Sequence, residues 1–145
     1  MNKFVFLLIS TFPMFAFGET GMSGYWSVKC GGFGGSIEIN SADDAKININ
    51  NNNLFILARL NQSPHGETEL YYQSVIESEN NIIDWANIST SKPIAVVSLR
   101  DSVLNISWSG FYDIKKKQYV WKNEPDFVVA IENRQNIKMK KCNFN

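Results

Sequence analysis

The chain has 145 residues, with 14 basic and 14 acidic side chains, 44% hydrophobic and 13% aromatic residues, one His and two Cys. That length bounds it to a single domain. The balanced charge excludes the strong basic field of a nucleic-acid binder, and the aromatic content excludes a disordered chain.

Residues 1–18 read as a secretory signal peptide. Lys3 supplies the positive start, Phe4 to Phe12 the short apolar stretch, and Ala16-Phe17-Gly18 the small residues that a signal peptidase reads. Ser10, Thr11 and Pro13 interrupt the run, which is too short to span a bilayer comfortably, so a membrane anchor is the weaker reading; no later stretch is apolar enough. Cleavage before Glu19 predicts that residues 19–145 form one β-rich domain, periplasmic or secreted, with no membrane span.

From there on the hydrophobic pattern has period two. Gly24–Cys30 comes first, then Ser36–Asn40, Lys46–Asn50, Leu54–Leu60 and Leu70–Glu77. Ile94–Leu99, Val103–Trp108, Gln118–Lys122, Phe127–Ile131 and Ile137–Cys142 follow. Gly31-Gly32 with Gly34-Gly35, Asp43-Asp44, Asn50–Asn53, Ser63-Pro64-His65-Gly66, Asn80-Asn81 and Asn123–Pro125 supply the turns. Asn81–Ser91 fits either a short helix or another strand. Roughly eight to ten short strands joined by tight turns predict an all-β fold, a single small antiparallel barrel or sandwich.

Cys30 and Cys142 are the only cysteines. In an oxidising compartment such a pair predicts one disulfide, tying the first strand to the last. Charge is distributed unevenly. Residues 19–113 carry five basic and eleven acidic side chains, and residues 114–145 carry eight and three. Solvated strand faces and a turn at Lys115–Lys117 account for that basic segment, and so does a contact surface for an acidic partner.

No active site assembles from the residue types present. His65 lies in a Pro-His-Gly turn without a nucleophile-elbow sequence. Glu67, Glu69, Asp84 and Asp113 are carboxylates of the kind any surface carries. The Gly31–Gly35 stretch lacks the Lys-Ser/Thr of a phosphate loop, and there is no CxxC pair. The expectation is therefore a protein that is not an enzyme and uses no cofactor or metal.

The aromatic residues carry more information. Trp108, Phe111, Tyr112, Tyr119 and Trp121 crowd around the lysine-rich turn. At period two half of them would point into the core; alternatively they form a projecting hairpin, with the composition of a protein-binding hot spot. Ser109-Gly110-Phe111-Tyr112, followed after the basic turn by Tyr119-Val120-Trp121-Lys122, resembles the Ser-Gly-x-x-Tyr and Trp-x-Lys-Gly pattern of the periplasmic inhibitors of c-type lysozyme. The opening is similar too: an aromatic before Cys30, a Gly-rich turn and two alternating strands. In this chain the Ser-to-Tyr spacing is one residue shorter, Trp121 and Lys122 are adjacent, Asn123 stands where the family has Gly, and Leu60 to Ser109 has no counterpart.

The resemblance implies a small secreted barrel that inserts a loop into the cleft of a lysozyme or other cell-wall hydrolase and contacts its catalytic carboxylates. By motif it assigns partner contact to Ser109, Tyr112 and Lys122, with Trp121 and Lys116 beside them. Two further readings are a periplasmic immunity protein against a wall-degrading toxin and an extracellular binding or adhesin module without inhibitory activity.

Overall fold

The computed structural model describes residues 21–32, 34–40, 43–50, 54–78, 83–120 and 125–143. Residues 1–18, expected to be a signal peptide, and the site candidates Trp121 and Lys122 lie outside the described residues.

Eight strands close into an antiparallel barrel. They are β1 (Gly24–Ser27), β2 (Ser36–Ile39), β3 (Asp44–Asn50), β4 (Leu54–Gln62), β5 (Thr68–Ser78), β6 (Pro93–Arg100), β7 (Val103–Trp108) and β10 (Ile137–Lys141). β2 to β7 form an uninterrupted meander; β10 then pairs with β7, and β1 pairs with both β10 and β2 to complete the ring. Closure leaves the barrel without an open edge. Between β7 and β10 the chain makes one excursion: a two-stranded hairpin, β8 (Phe111–Asp113) and β9 (Gln118–Val120), and a short helix, α1 (Asp126–Ile131).

The period-two pattern follows from the barrel wall. Alternate side chains enter the interior, among them Ile37 and Ile39, Ala45, Ile47 and Ile49, and Ile56, Ala58 and Leu60, all buried. Leu104, Ile106 and Trp108 enter from β7, and Ile137 and Met139 from β10. Side chains fill the interior of an eight-stranded barrel, and each fully buried Ile or Leu stabilises by about 1.5–3 kcal/mol. On β10 the same alternation turns Lys138 and Lys140 outward, and Lys141, at the end of the strand, is exposed as well. Three of the eight basic residues of the last quarter are thus solvated on one strand.

The predicted disulfide is present. Cys30 and Cys142 are bonded, with Cα atoms 5.6 Å apart, across the seam where β1 meets β10.

Aromatic rings close the end of the barrel at which β6 begins and β7 finishes. Tyr72 stacks on Trp85 at 5.6 Å between centroids, and Phe111 meets Trp85 edge-on at 5.4 Å and Trp108 at 5.7 Å. Phe127 from α1 meets Trp108 edge-on at 5.8 Å. Edge-to-face contacts at these separations are the favoured geometry.

Two expectations need correction, and one open alternative is resolved. Phe127–Ile131 is not a strand but lies in α1: Asp126 occupies its first turn, after Pro125, and Phe127 and Val128 are buried. An apolar run this short reads equally as strand or helix, and here Pro125-Asp126 sets a helix start. Phe111–Asp113, outside every predicted strand, is β8. Of Asn81–Ser91, the described part contains a 3-10 turn at Trp85–Asn87, which places Trp85 against the barrel end.

Candidate functional site: a lysine-tipped aromatic hairpin

Period two divides the aromatic cluster between core and surface. Trp108 and Phe111 are buried, whereas Tyr112 and Tyr119 are half-buried on the opposite face of the hairpin, their rings 5.3 Å apart and nearly perpendicular. They are register partners across β8 and β9, a position in which aromatic pairs stabilise a two-stranded ribbon.

The hairpin is strapped down at its base. Ser109 and Gly110 both donate their backbone N–H to the Ile94 carbonyl, at 2.7 and 3.2 Å. The Tyr119 hydroxyl donates to the Pro93 carbonyl at 3.1 Å. On the β8 side, the Ser89 N–H donates to Tyr112 O and the Ile114 N–H to Asn87 O, both at 2.8 Å, so residues 87–89 run beside β8 like a third strand. Two elements therefore hold the hairpin before it reaches its turn.

The turn itself is exposed. Ile114, Lys115, Lys116 and Lys117 all face solvent, with Lys117 in the left-handed region at φ 53°. Asp113 organises it from below. Its buried carboxylate accepts the Lys116 backbone N–H at 2.9 Å, and the Lys116 ammonium lies 3.4 Å from its second oxygen. The Lys116 N–H is the main reason that the Asp113 carboxyl is held below its ordinary pKa; burial opposes it, and the Lys116 side chain adds to the lowering. Lys116 nonetheless keeps its side chain 62% exposed.

Ser109, Tyr112 and Lys116 thus lie on one excursion of the chain: Ser109 half-buried at its base, Tyr112 on its outer face, Lys116 at its tip. Lys92 had no sequence signal as a neighbour; its ammonium lies 5.7 Å from the Tyr112 ring centroid, within cation–π range. Tyr71 also joins this side, since Pro93, which holds the Tyr119 hydroxyl, is the register partner of Tyr71. The alternation Leu70 in, Tyr71 out, Tyr72 in was the available clue.

The other carboxylates are dispersed. The Tyr71 hydroxyl donates to Glu69, and the Asn87 side-chain amide to Asp84. His65 sits exposed in the turn between β4 and β5, its backbone N–H donated to the Ser63 hydroxyl at 3.3 Å. Among the described residues no three His, Cys, Asp or Glu side chains group as a metal site. A groove of about 610 Å³ on another part of the surface is lined by residues including Gln62, Ser98, Asn105 and Gln135, and shares none with the hairpin.

Comparison with family models, with curated proteins and with solved structures gives no match.

Proposed function

We propose that this protein binds and inhibits a peptidoglycan-degrading enzyme, outside the cytoplasm, by inserting the β8–β9 hairpin into the enzyme's active-site cleft. The observation that carries the reading is the hairpin's construction: a base held by backbone hydrogen bonds to Ile94, Asn87 and Ser89, and a tip of three exposed lysines. A loop fixed before binding loses little conformational entropy on association, which favours affinity. Glycosidases of the lysozyme type work with a pair of carboxylates in a cleft. Ammonium groups at the tip would meet those carboxylates with complementary charge, while the tyrosines of the hairpin face lie against the cleft wall. Inhibition then needs no chemistry from this chain.

The disulfide supports a periplasmic or secreted location, since such bonds persist in oxidising compartments. An immunity protein against a wall-degrading toxin would use the same hairpin on a different enzyme.

The test is lysis of purified peptidoglycan by a panel of lysozymes and bacterial wall-degrading toxins, with and without the oxidised protein. Stoichiometric inhibition of one panel member, weakened by the combined substitutions Lys115→Ala, Lys116→Ala and Lys117→Ala, is the expected result. Absence of inhibition across the panel would sink the proposal.

A further inference from the structure

The face of the hairpin that carries Tyr112 and Tyr119 does not end at the hairpin. The Tyr119 hydroxyl reaches Pro93, whose register partner on β5 is Tyr71, so the third tyrosine continues the surface onto the barrel wall. Arg59 on β4, the register partner of Tyr71 on that strand's other side, places its guanidinium 5.9 Å from the Tyr71 ring centroid. At the opposite end Lys92 lies over Tyr112. The line Arg59, Tyr71, Tyr119, Tyr112, Lys92 draws on five separate segments of chain and has a cation at each end.

We infer that this line is a second contact surface, continuous with the hairpin tip, which takes the acidic rim of a protein partner rather than a glycan. The inference rests on the inhibitor reading above for the partner's identity, and on three observations for its chemistry. Its two cations and the three at the tip outnumber the four nearby carboxylates. Asp113 is turned to Lys116, Asp84 accepts from Asn87, Glu69 accepts from Tyr71, and Asp44 is the register partner of Arg59 on β3. Two of the three tyrosines are already fixed, Tyr71 on Glu69 and Tyr119 on Pro93, so ordering them on binding costs little. Tyr and Arg are also the residues that most often dominate protein interfaces, because each presents a large, stiff contact area with a polar end.

A sugar ring would need an open aromatic face to stack on. Here Arg59 lies over Tyr71, Lys92 lies over Tyr112, and the Tyr112 and Tyr119 rings meet at 80° instead of forming a flat platform. A carboxylate-bearing protein rim has no such requirement: it pairs with the guanidinium and ammonium groups and packs its apolar atoms on the ring edges.

Arg59→Glu and Tyr71→Ala test the inference, because both positions lie on the barrel wall away from the hairpin turn. Thermal melts establish that each variant is folded. Against a panel enzyme that the protein inhibits, each substitution is expected to weaken inhibition by about tenfold. If both remain within twofold of the parent while the triple lysine variant is impaired, the wall surface is overturned and the hairpin reading stands. If no panel enzyme is inhibited, the hairpin reading fails and a titration decides the wall surface separately. The backbone amide signals of Tyr71, Tyr112 and Tyr119 are followed by NMR against a synthetic peptide of alternating glutamate and phenylalanine, and against an N-acetylglucosamine hexamer. Movement with the peptide upholds the inference; movement with the sugar alone, or with neither, overturns it.

Discussion

The backbone N–H of Lys116 donates to the Asp113 carboxylate at 2.9 Å, and the ammonium of the same lysine lies 3.4 Å from its other oxygen. One buried acid thus fixes both the path of the tip and one of its three charges. The middle lysine of the turn is partly neutralised from within, which leaves Lys115 and Lys117 as the tip cations with the greater freedom to meet a partner.

This arrangement makes hairpin stability depend on pH in a definite sense. The Asp113 carboxyl has a lower pKa folded than unfolded, so in the acid range the unfolded chain binds more protons. Its contribution is fully present above the ordinary carboxylate value, near pH 4, and is lost as pH falls through the folded value. Asp113→Asn keeps the shape and removes the charge. Urea midpoints of parent and variant should differ by a constant amount from pH 7 down to about pH 4 and converge below it. A gap that persists unchanged to pH 2 would mean that the ionised carboxylate is not what stabilises the turn.

Replacing Cys30 and Cys142 together should affect the whole barrel without altering the hairpin. The bond closes a loop between residues 112 positions apart and joins the two strands that complete the ring. By loop entropy this stabilises by about 4–5 kcal/mol, a large share of a small domain's margin of roughly 5–15 kcal/mol. The double Ala variant should unfold at a much lower urea concentration, while NMR signals of residues 111–120 stay in place at low temperature in the absence of denaturant. Equal midpoints for the two proteins would show the bond to be energetically idle.

Gly35 has a requirement that the Gly-rich sequence alone does not single out. It lies at φ +70°, and a Cβ there would fall 2.8 Å from Phe127 Cδ1 and 3.0 Å from the Asn48 carbonyl. Gly35→Ala should therefore cost about 2–4 kcal/mol from left-handed strain and overpacking combined, and should loosen α1 from the barrel. Gly34→Ala is the control, since a Cβ at Gly34 meets nothing within 4 Å. Equal melting temperatures for the two variants would contradict the crowding.

What was legible in the sequence was the part set by local alternation. Ser36–Ile39 and Asp44–Asn50 form strands because every second residue there is an Ile or Ala that the interior takes up. What was not legible depended on distant partners. β8 is three residues long and follows Gly110 at φ 91°; it exists because β9 lies on one side of it and residues 87–89 on the other. Phe127-Val128-Val129 has strand-forming residues, yet Pro125-Asp126 starts a helix whose buried face packs Phe127 on Trp108. Of the site, the alternation implied that about half of the hairpin rings face inward, without saying which. It could not show that Lys92, Tyr71 and Arg59 join them, because strand pairing brings those three together.

The turn between β6 and β7 offers a gain in stability far from the site. Arg100 pairs with Val103, leaving a two-residue loop, Asp101 at φ 51° and Ser102 at φ 62°. Positive φ at both central residues is the hairpin geometry that suits strand twist, and Asn-Gly or Asp-Gly is its preferred sequence. Asp tolerates the left-handed region better than most residues, because its short polar side chain is able to bond locally, but Ser at 102 has no such advantage over Gly. Ser102→Gly should therefore stabilise the barrel by about 1 kcal/mol, the relief of left-handed strain outweighing the greater freedom of Gly in the unfolded chain. The shift should appear as a higher urea midpoint with an unchanged denaturant slope. A lower midpoint would mean that the unfolded-state term dominates at this turn.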